Sequence, residues 1–463
     1  MAAMLPPIQL SPSHLGIFKA AEIAPGALKE CNTLLKKNHE AYHIFYQDPA
    51  FHNHTVHSLL TTLTLGASTS ELHDRYDELA AIQRPIPEID VTLLKSLGDD
   101  EIFYQTIGKI QQYHTFLEFF KRKIASGGYR TIVLKYLFSR TKVADRLLVQ
   151  MVEGAFHPII HLGFGIEFDQ PALVAEALAQ AASHDRMDVE DVLFAAEIRA
   201  AASDDKPETP LIDLVHSVRN NDRLHTAPRW GDLGAKMKVG VVGRAGDEMR
   251  DIASKFTIKH SEDDLKRRTA EMVSVCAYMA GSAHKPNRAR KIDFFIMHSV
   301  TSSIFCTVLN EQGWIPLAHR ARLVEVKART DLMWYAAIGS PVLDSDAISK
   351  YTNKESDSLG WEDLFRDVVR ESDDGHAAKF IRALKSGAET AKVYENTPEW
   401  SASFPCKGDS WLKLARLCQD TTKSRPWEQK WVWFAGFDEA WKRPDLAGPL
   451  TGASGTPNGH SGP

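Results

Sequence analysis

Two histidines four residues apart in an apolar stretch, His157 and His161, are the side chains with the most evident chemistry. They lie in the segment GAFHPIIHLGFGIEF, residues 154–168. On a helix this spacing places both imidazole rings on one face, close enough to bind a single metal ion. Because their neighbours are apolar, both rings would be poorly hydrated and would need a polar partner. The spacing alone leaves metal binding and ordinary core packing about equally open.

Histidines occur in apolar surroundings at three further places. These are residues 51–60 with His54 and His57, residues 293–303 with His298, and residues 373–382 with His376 and Lys379. In the first segment, Asn53 is expected to cap a helix that carries both histidines. Taken singly, a buried histidine is more often a hydrogen-bonded core residue than a ligand, and a lysine is usually solvated.

The residue types do not choose the metal, since imidazole binds zinc, copper, iron and nickel alike. The first histidine of HPIIH is not followed by the glutamate that acts as base in zinc proteases. No cysteine lies beside these histidines, which argues against a structural zinc site. Pro158 would remove a backbone donor inside a helix and predicts a local bend.

Helical periodicity is the dominant pattern in the elements that must position these side chains. Residues 107–124 carry one apolar stripe at helical spacing, and residues 171–182 are an alanine-rich segment that begins with proline. Sustained strand-type alternation is hard to find. The sequence therefore predicts a mainly α protein: one large helical domain over residues 1–449 with a buried metal site between helices. The Gly/Ser/Pro-rich residues 450–463 are expected to form a disordered tail.

Composition excludes several classes of function. The 463 residues are 43% hydrophobic and 25% charged, with a net charge of −5, so no general attraction to nucleic acid or anionic membranes is expected. The longest uncharged apolar run, residues 294–309, is shorter than the roughly 20 residues of a membrane helix. The N-terminus predicts no signal peptide, and five scattered cysteines favour reduced thiols and a cytoplasmic protein. The oligomeric state stays open.

A glycine pattern at Gly240, Gly243 and Gly246 is the nearest match to a dinucleotide-binding loop. Its spacing is GxxGxxG, whereas the fingerprint is GxGxxG between a strand and a helix. Because the flanking βαβ pattern is missing, we expect a turn here and no flavin or nicotinamide site.

Together these segments resemble the questin oxidase-like family of fungal aromatic polyketide pathways. The pieces that carry the resemblance are residues 53–60 with 65–67, residues 155–167, residues 294–298 and residues 375–384. HPIIHLGFGIE is the most specific of them. The first piece departs at Ser58, where many relatives have another histidine. The resemblance runs from about residue 40 to 440.

The resemblance implies an oxidoreductase, a dioxygenase or oxygenase that opens the central ring of an anthraquinone to a benzophenone-type product. The implied cofactor is Fe(II), and the partners are dioxygen and a small aromatic polyketide. NADPH could act as reductant of the substrate. The alternatives are an NADPH-dependent Baeyer–Villiger-type monooxygenase without bound iron, and a helical binding protein with structural histidines.

The resemblance also implies a set of site residues. The expected metal ligands are His57, His157, His161, His298 and Lys379. Four neutral imidazoles leave the charge of Fe(II) uncompensated, so Lys379 is expected to react with carbon dioxide and to ligate as a carboxylated lysine, with Glu167 as the other anionic candidate. Glu167 and His376 are the expected proton-transfer residues. His54 and His376 are held in reserve as ligands or as residues just outside the ligand set.

Overall fold

Helices make up nearly all of the regular structure in this computed structural model, which describes residues 5–48, 51–202 and 208–447. Within those residues the strands are β1 (Phe45–Gln47) and β2 (Phe51–His52), which pair antiparallel with Phe45 opposite His52. The prediction of a mainly α protein is confirmed. One hydrophobic core runs from Ile8 to Phe434 and joins the helices into a single domain.

The α-helices of the described residues are α1 (Ala27–Ala41), α2 (Thr55–Thr64), α3 (Thr69–Ala80), α4 (Val91–Ser96), α5 (Asp100–Thr106), α6 (Tyr113–Gly127), α7 (Tyr129–Val133), α8 (Lys142–Gln150), α9 (His157–Glu167), α10 (Pro171–Ser183), α11 (Glu190–Ala201), α12 (Leu211–Asn220), α13 (Asp222–Thr226), α14 (Gly243–Ala253), α15 (Glu262–Ser282), α16 (Phe294–Asn310), α17 (Leu317–Ala337), α18 (Asp346–Ser349), α19 (Trp361–Val368), α20 (His376–Ala391), α21 (Ser410–Thr422) and α22 (Trp427–Lys430). Short 3₁₀ turns cover Ile110–Gln112, Trp230–Ala235, Ser401–Ser403, Asp438–Trp441 and Pro444–Leu446, and π-helical turns cover Leu134–Phe138 and Lys236–Val242.

Small residues let the central helices approach one another closely. Helix α10 packs on α6 and α9, and α16 packs on α9, α15 and α20. Six alanines of α10 are buried. On α9, Gly163 and Gly165 lie so close to their neighbours that a Cβ atom would stand 2.1 Å from Phe305 and 2.8 Å from the backbone of Val174. The four helices α2, α9, α16 and α20 carry the histidine segments into this tightly packed centre.

The predicted helices exist, with shifted boundaries. Helix α10 begins at Pro171 as expected. The stripe at residues 107–124 is divided, because Gly108 adopts a φ of 97° and α6 starts only at Tyr113. The bend expected at Pro158 is wrong, since this residue lies in the first turn of α9. A backbone N–H in the first turn has no partner within the helix, so proline can stand there without loss of a hydrogen bond.

The glycine pattern at residues 240–246 is helical, so the expected turn is wrong. A π-helical turn runs directly into α14, with the break in regular geometry at Ala245. The sheet found in the described residues, β1 with β2, is antiparallel and does not adjoin this segment in the sequence. The predicted tail, residues 450–463, lies outside the described residues.

None of the helices in the described part of the chain is both long enough and apolar enough to cross a membrane.

The close contact between α9 and α16 makes Gly163 sensitive to substitution. Gly163→Ala would drive a methyl group into the ring of Phe305, and overpacking of this kind costs typically about 1–3 kcal/mol. We expect a lower thermal unfolding midpoint, measured by circular dichroism. Gly98→Ala is the matched control, because its Cβ would meet nothing within 4 Å. Equal midpoints for the two variants would contradict this packing.

Candidate metal centre

Local sequence signals place a histidine at or near the start of three helices. Helix α2 begins at Thr55, one residue later than predicted, so His54 immediately precedes it, and the backbone N–H of Thr55 donates to Asn53 Oδ1 at 2.9 Å. Gly375 adopts a φ of 87° and turns the chain so that α20 begins at His376. His298 lies in the second turn of α16, whose first turn is capped by the buried carboxylate of Asp293.

A left-handed turn positions the fourth histidine. Gly154, Ala155 and Phe156 have φ values of 58°, 50° and 67°, and α9 begins directly afterwards at His157. This conformation costs roughly 1–2 kcal/mol at a residue with a Cβ atom, so the surrounding packing must hold it. Strain of this kind is typical of functional sites.

The four histidines contact one another through their Nε2 atoms in two pairs. Nε2 of His54 lies 2.8 Å from Nε2 of His157, and Nε2 of His298 lies 3.0 Å from Nε2 of His376. One ring nitrogen from each of His54, His157 and His376 falls within 4.8 Å of the others. All four side chains are buried.

The outward-facing nitrogens define which atom of each ring carries the proton. Nδ1 of His157 donates to the carbonyl oxygen of Gly154 at 2.7 Å, and Nδ1 of His298 donates to that of Phe294 at 2.7 Å. Since a carbonyl can only accept, Nε2 of each neutral ring carries a lone pair.

Asp374 lies beside the other two histidines. Its Oδ1 accepts from Nδ1 of His376, which leaves Nε2 of that neutral ring as a lone pair. Its Oδ2 lies 3.5 Å from Nδ1 of His54, too far to define the tautomer of that ring. Three Nε2 lone pairs, on His157, His298 and His376, therefore lie beside Nε2 of His54 in a buried space.

A metal ion would fit this arrangement. Facing lone pairs repel unless a cation lies between them. Protons are poorly suited to that role here, because burial lowers the pKa of all four imidazoles well below the usual value and nearby histidines and Lys379 lower it further. Neutral imidazole is the form that binds zinc, iron and copper.

Lys379 lies one turn after His376 on α20, and its Nζ is buried without a hydrogen-bond partner among the described residues. Burial lowers the pKa of this amine to about 8, although Asp374 and Asp373 act to raise it. Helix α2 packs on α20 and carries further buried polar atoms that lack partners in the described chain. They are Thr55 Oγ1, His57 Nδ1, Ser58 Oγ and Thr61 Oγ1. An additional polar group could satisfy several of these atoms at once.

His57 and His161 form a neighbouring pair instead of joining the four converging Nε2 atoms. His57 Nε2 lies 3.2 Å from His161 Nδ1, and His161 Nε2 donates to Glu176 Oε2 at 2.7 Å. Glu176 also contacts Nδ1 of the half-buried His39 at 2.5 Å. The result is a hydrogen-bonded chain from near the surface to His57.

Sequence analysis missed Glu176. Burial alone would raise its pKa, but hydrogen bonds from His161 and His39 hold the pKa at about 2, so the carboxylate is ionised. The signal was present in the sequence, because Glu176 is the one charged residue of the otherwise alanine-rich helix α10. A buried charge in such a helix needs a partner.

Glu167 lies elsewhere. Its carboxylate accepts from both terminal nitrogens of the buried Arg382 and from the backbone N–H of Ile17. Within the described part of the chain it makes no hydrogen bond to a histidine. The structure thus brings His157 and His298 together with His54 and His376, and sets Glu167 in a separate buried ion pair.

An aromatic cavity of about 440 Å³ opens beside the converging histidines. Its walls include His54, His157 and His376 together with Phe294, Phe295, Trp334, Trp427 and Trp433. Phe294 connects the aromatic walls to the histidines, since its ring stacks on Trp433 at 4.6 Å and lies edge-on to His376 at 5.3 Å. The tryptophans were not predicted, although Trp431, Trp433 and Phe434 form an unusually aromatic segment. A flat apolar molecule fits walls of this kind.

Known proteins share this sequence over most of its length. Residues 51–384 match the family described as questin oxidase-like. The chain is 58% identical over 442 residues to a Baeyer–Villiger monooxygenase of Cryptosporiopsis sp., an alignment that covers 95% of this chain and 99% of that protein. It is 54% identical to a Baeyer–Villiger oxidase of Paecilomyces divaricatus, covering 96% and 97% of the two chains. It is 44% identical to the questin oxidase of Aspergillus fumigatus, covering 94% and 97%.

The ionised Glu176 makes stability depend on pH. Its folded-state pKa of about 2 lies below the ordinary 4.5, so its contribution is complete above pH 4.5 and is lost as the pH falls toward 2. We expect Glu176→Gln to lower the free energy of unfolding at pH 7 by about 3 kcal/mol, and by less at pH 3.5. Urea denaturation at both values measures this difference. Glu101→Gln, at an exposed position, is the control and should change little at either pH. A Glu176→Gln deficit that does not shrink at pH 3.5 would contradict the assignment.

Proposed function

Since this chain belongs to the questin oxidase-like family, we propose that it is a non-heme iron-dependent oxygenase. The proposed reaction cleaves a carbon–carbon bond in the central ring of an anthraquinone and yields a benzophenone-type product in fungal polyketide biosynthesis. One observation carries the proposal: the buried imidazoles of His54, His157, His298 and His376, three of them with an inward Nε2 lone pair, cluster beside an aromatic cavity. The names of the relatives, questin oxidase and Baeyer–Villiger oxidase, support oxygen insertion into an aromatic polyketide.

We propose His54, His157, His298 and His376 as the iron ligands. Fe(II) bound there would supply activation of dioxygen. This set keeps His157 and His298 from the sequence-based set and replaces His57 and His161 by His54 and His376. The reason is geometric, because the Nδ1 atoms of His157, His298 and His376 are hydrogen-bonded away from the centre, and the Nε2 atoms of all four rings contact one another in two pairs.

His376, which the sequence offered both as a proton-transfer residue and as a reserve ligand, is therefore proposed as a ligand. Asp374 orients it, together with His54, from outside the ligand set. Glu167 is assigned to stabilising the fold through Arg382 and not to chemistry.

Lys379 remains the proposed anionic ligand, as a carboxylated lysine. Its neutral amine adds to carbon dioxide and releases one proton, which gives a carbamate with a single negative charge. The low pKa of the amine makes the neutral form available near neutral pH. The unpaired hydroxyls of Thr55, Ser58 and Thr61 are candidate donors to the new carboxylate oxygens. The added charge would offset that of Fe(II) in a dry site.

The substrate is proposed to bind in the aromatic cavity. Phe295 stacks on Trp334 at 4.7 Å and Phe294 on Trp433 at 4.6 Å, so two rigid aromatic pairs offer flat surfaces. These rings exclude water from the face of a bound polyketide and orient it toward His157 and His376. Dioxygen is the proposed second substrate. All five cysteines are buried and unpaired, which supports the cytoplasm as its location.

A second candidate is an NADPH-dependent Baeyer–Villiger-type monooxygenase without bound iron. The names of two relatives, Baeyer–Villiger monooxygenase and Baeyer–Villiger oxidase, favour a Baeyer–Villiger-type reaction. In the iron-dependent proposal, NADPH acts only as a reductant of the substrate quinone.

Removing one ligand should remove the metal. We expect His157→Ala and His376→Ala to lower the iron bound per chain by on the order of tenfold or more, and to abolish turnover of a hydroxyanthraquinone. Elemental analysis of protein loaded anaerobically with Fe(II) gives the first quantity and product formation under air the second. His216→Ala, an exposed position on α12, is the control and should keep both. An iron-free wild-type protein whose full activity follows NADPH would favour the second candidate.

The lysine proposal has its own test. Incubation with ¹³C-labelled bicarbonate should produce a carbamate signal in the ¹³C NMR spectrum of the wild type, and Lys379→Ala should lose that signal together with most of the turnover. Lys385→Ala, on the same helix and paired with Glu389, should keep both. If Lys379→Ala retained iron and full turnover, Lys379 would not be a ligand.

A further inference from the structure

A second histidine pair, His52 and His184, lines the same cavity next to the proposed iron ligands. Nε2 of His52 lies 2.9 Å from Nε2 of His184. The ring of His52 is stacked on that of His157 at a centroid distance of 3.7 Å and an interplanar angle of 5°. Both histidines are buried to within a few per cent and both face the cavity, as does Asp185. The sequence analysis singled out neither histidine.

Hydrogen bonds give this pair a defined direction. Nδ1 of His184 donates to the backbone carbonyl of Asp185 at 2.9 Å, and Asp185 Oδ1 lies 2.9 Å away as a second acceptor. Nε2 of a neutral His184 therefore accepts, and Nε2–H of His52 must be the donor. The remaining ring nitrogen of His52, Nδ1, then carries a lone pair.

That lone pair has no hydrogen-bond partner among the described residues. Strand β2 ends at His52, so pairing with β1 holds its backbone, while His157 and His184 hold its ring. A rigid acceptor in the wall of an aromatic cavity is suited to a hydrogen-bond donor on a flat ligand.

We propose that His52 Nδ1 accepts a hydrogen bond from a phenolic hydroxyl of the substrate and so sets which ring lies against the iron ligands. His184 and Asp185 are positioning residues that define the tautomer of His52. The inference rests on the proposed function and adds the substrate class: a neutral phenol with a free O–H, not an anionic group, because a lone pair repels a carboxylate or phosphate.

The stack of His52 on His157 makes this contact relevant to the reaction. A hydroxyl bound at Nδ1 lies at the edge of a ring that is in van der Waals contact with a proposed ligand. The hydroxyl-bearing ring is thereby held beside the metal centre, while the other ring extends toward Trp433 and Trp427. A site with a fixed acceptor also rejects analogues that lack the hydroxyl, since the acceptor would be left unpaired.

Binding of two matched probes tests the inference without turnover. The probes are 2-hydroxyanthraquinone and 2-methylanthraquinone, which differ in the hydroxyl but have nearly the same shape. Quenching of the fluorescence of Trp334, Trp427 and Trp433 reports occupancy of the cavity under anaerobic conditions. We expect the wild type to bind the hydroxylated probe about tenfold more tightly.

His52→Phe keeps a ring to stack on His157 but removes the acceptor, and should abolish the preference while binding the methyl probe as the wild type does. His52→Asn keeps a polar atom near the position of Nδ1 and should restore part of the preference. His52→Gln, which can reach His184 but offers no acceptor at Nδ1, should behave like His52→Phe and serves if that variant does not fold.

The failures are distinguishable. If the wild type binds both probes but His52→Phe and His52→Gln retain the preference, the inference is overturned and the proposed function stands. If turnover is normal but the wild type binds neither probe, or binds both equally, His52 is not the acceptor. Only the absence of both binding and turnover removes the proposed function as well.

Discussion

The arrangement of the centre depends on one constraint: three neutral imidazoles are each hydrogen-bonded through Nδ1 on the outside, so that their Nε2 lone pairs face inward beside Nε2 of His54. Backbone carbonyls of Gly154 and Phe294 impose this on His157 and His298, and the carboxylate of Asp374 imposes it on His376. The inward lone pairs of His298 and His376 cannot satisfy one another. A cation at their centre would turn this repulsion into attraction, and the protein around it holds the rings ready for one.

Much of the surrounding structure serves that constraint. The left-handed turn over Gly154–Phe156 allows α9 to begin at His157 while presenting the carbonyl of Gly154 to its own histidine. Gly375 turns the chain before α20, and the side chain of Asp373 accepts from the backbone N–H of His376. Close contacts at Gly163 and Gly165 bring α9 against α16 and α10. Each of these features fixes the backbone at a place where a small displacement would move the histidine nitrogens apart.

Around the four rings lie two further histidine pairs, and each ends in a carboxylate. His57 and His161 lead to the ionised Glu176, whereas His52 and His184 lead to Asp185. In both cases the carboxylate or a neighbouring carbonyl defines the tautomers along the pair. His57 and His161 are enclosed among helices, which suits a structural and electrostatic role. His52 and His184 border the cavity, which suits the proposed role in substrate binding.

Local sequence was sufficient to predict the helical class, the existence of α10 and the four segments that hold the site, because these follow from periodicity, capping residues and residue type. It did not reveal which histidines converge. His54 and His157 are 103 residues apart, and His298 and His376 are 78 apart, so their meeting depends on how α2, α9, α16 and α20 pack. The spacing of His157 and His161 predicted two rings on one helix face, but the first turns inward from a helix start and the second turns toward Glu176 on α10.

The sequence by itself therefore determined the type of chemistry that this chain can support. Its helical segments carry histidines in apolar surroundings, near a lysine and aromatic residues, and these residue types are present whatever the packing. Only the tertiary structure decided which nitrogens share one centre, which carboxylates orient them and which aromatic rings form the cavity. The physical reason is that a hydrogen bond or a lone pair acts over about 3 Å. Distances of that order between remote segments are determined by packing, and no local pattern contains them.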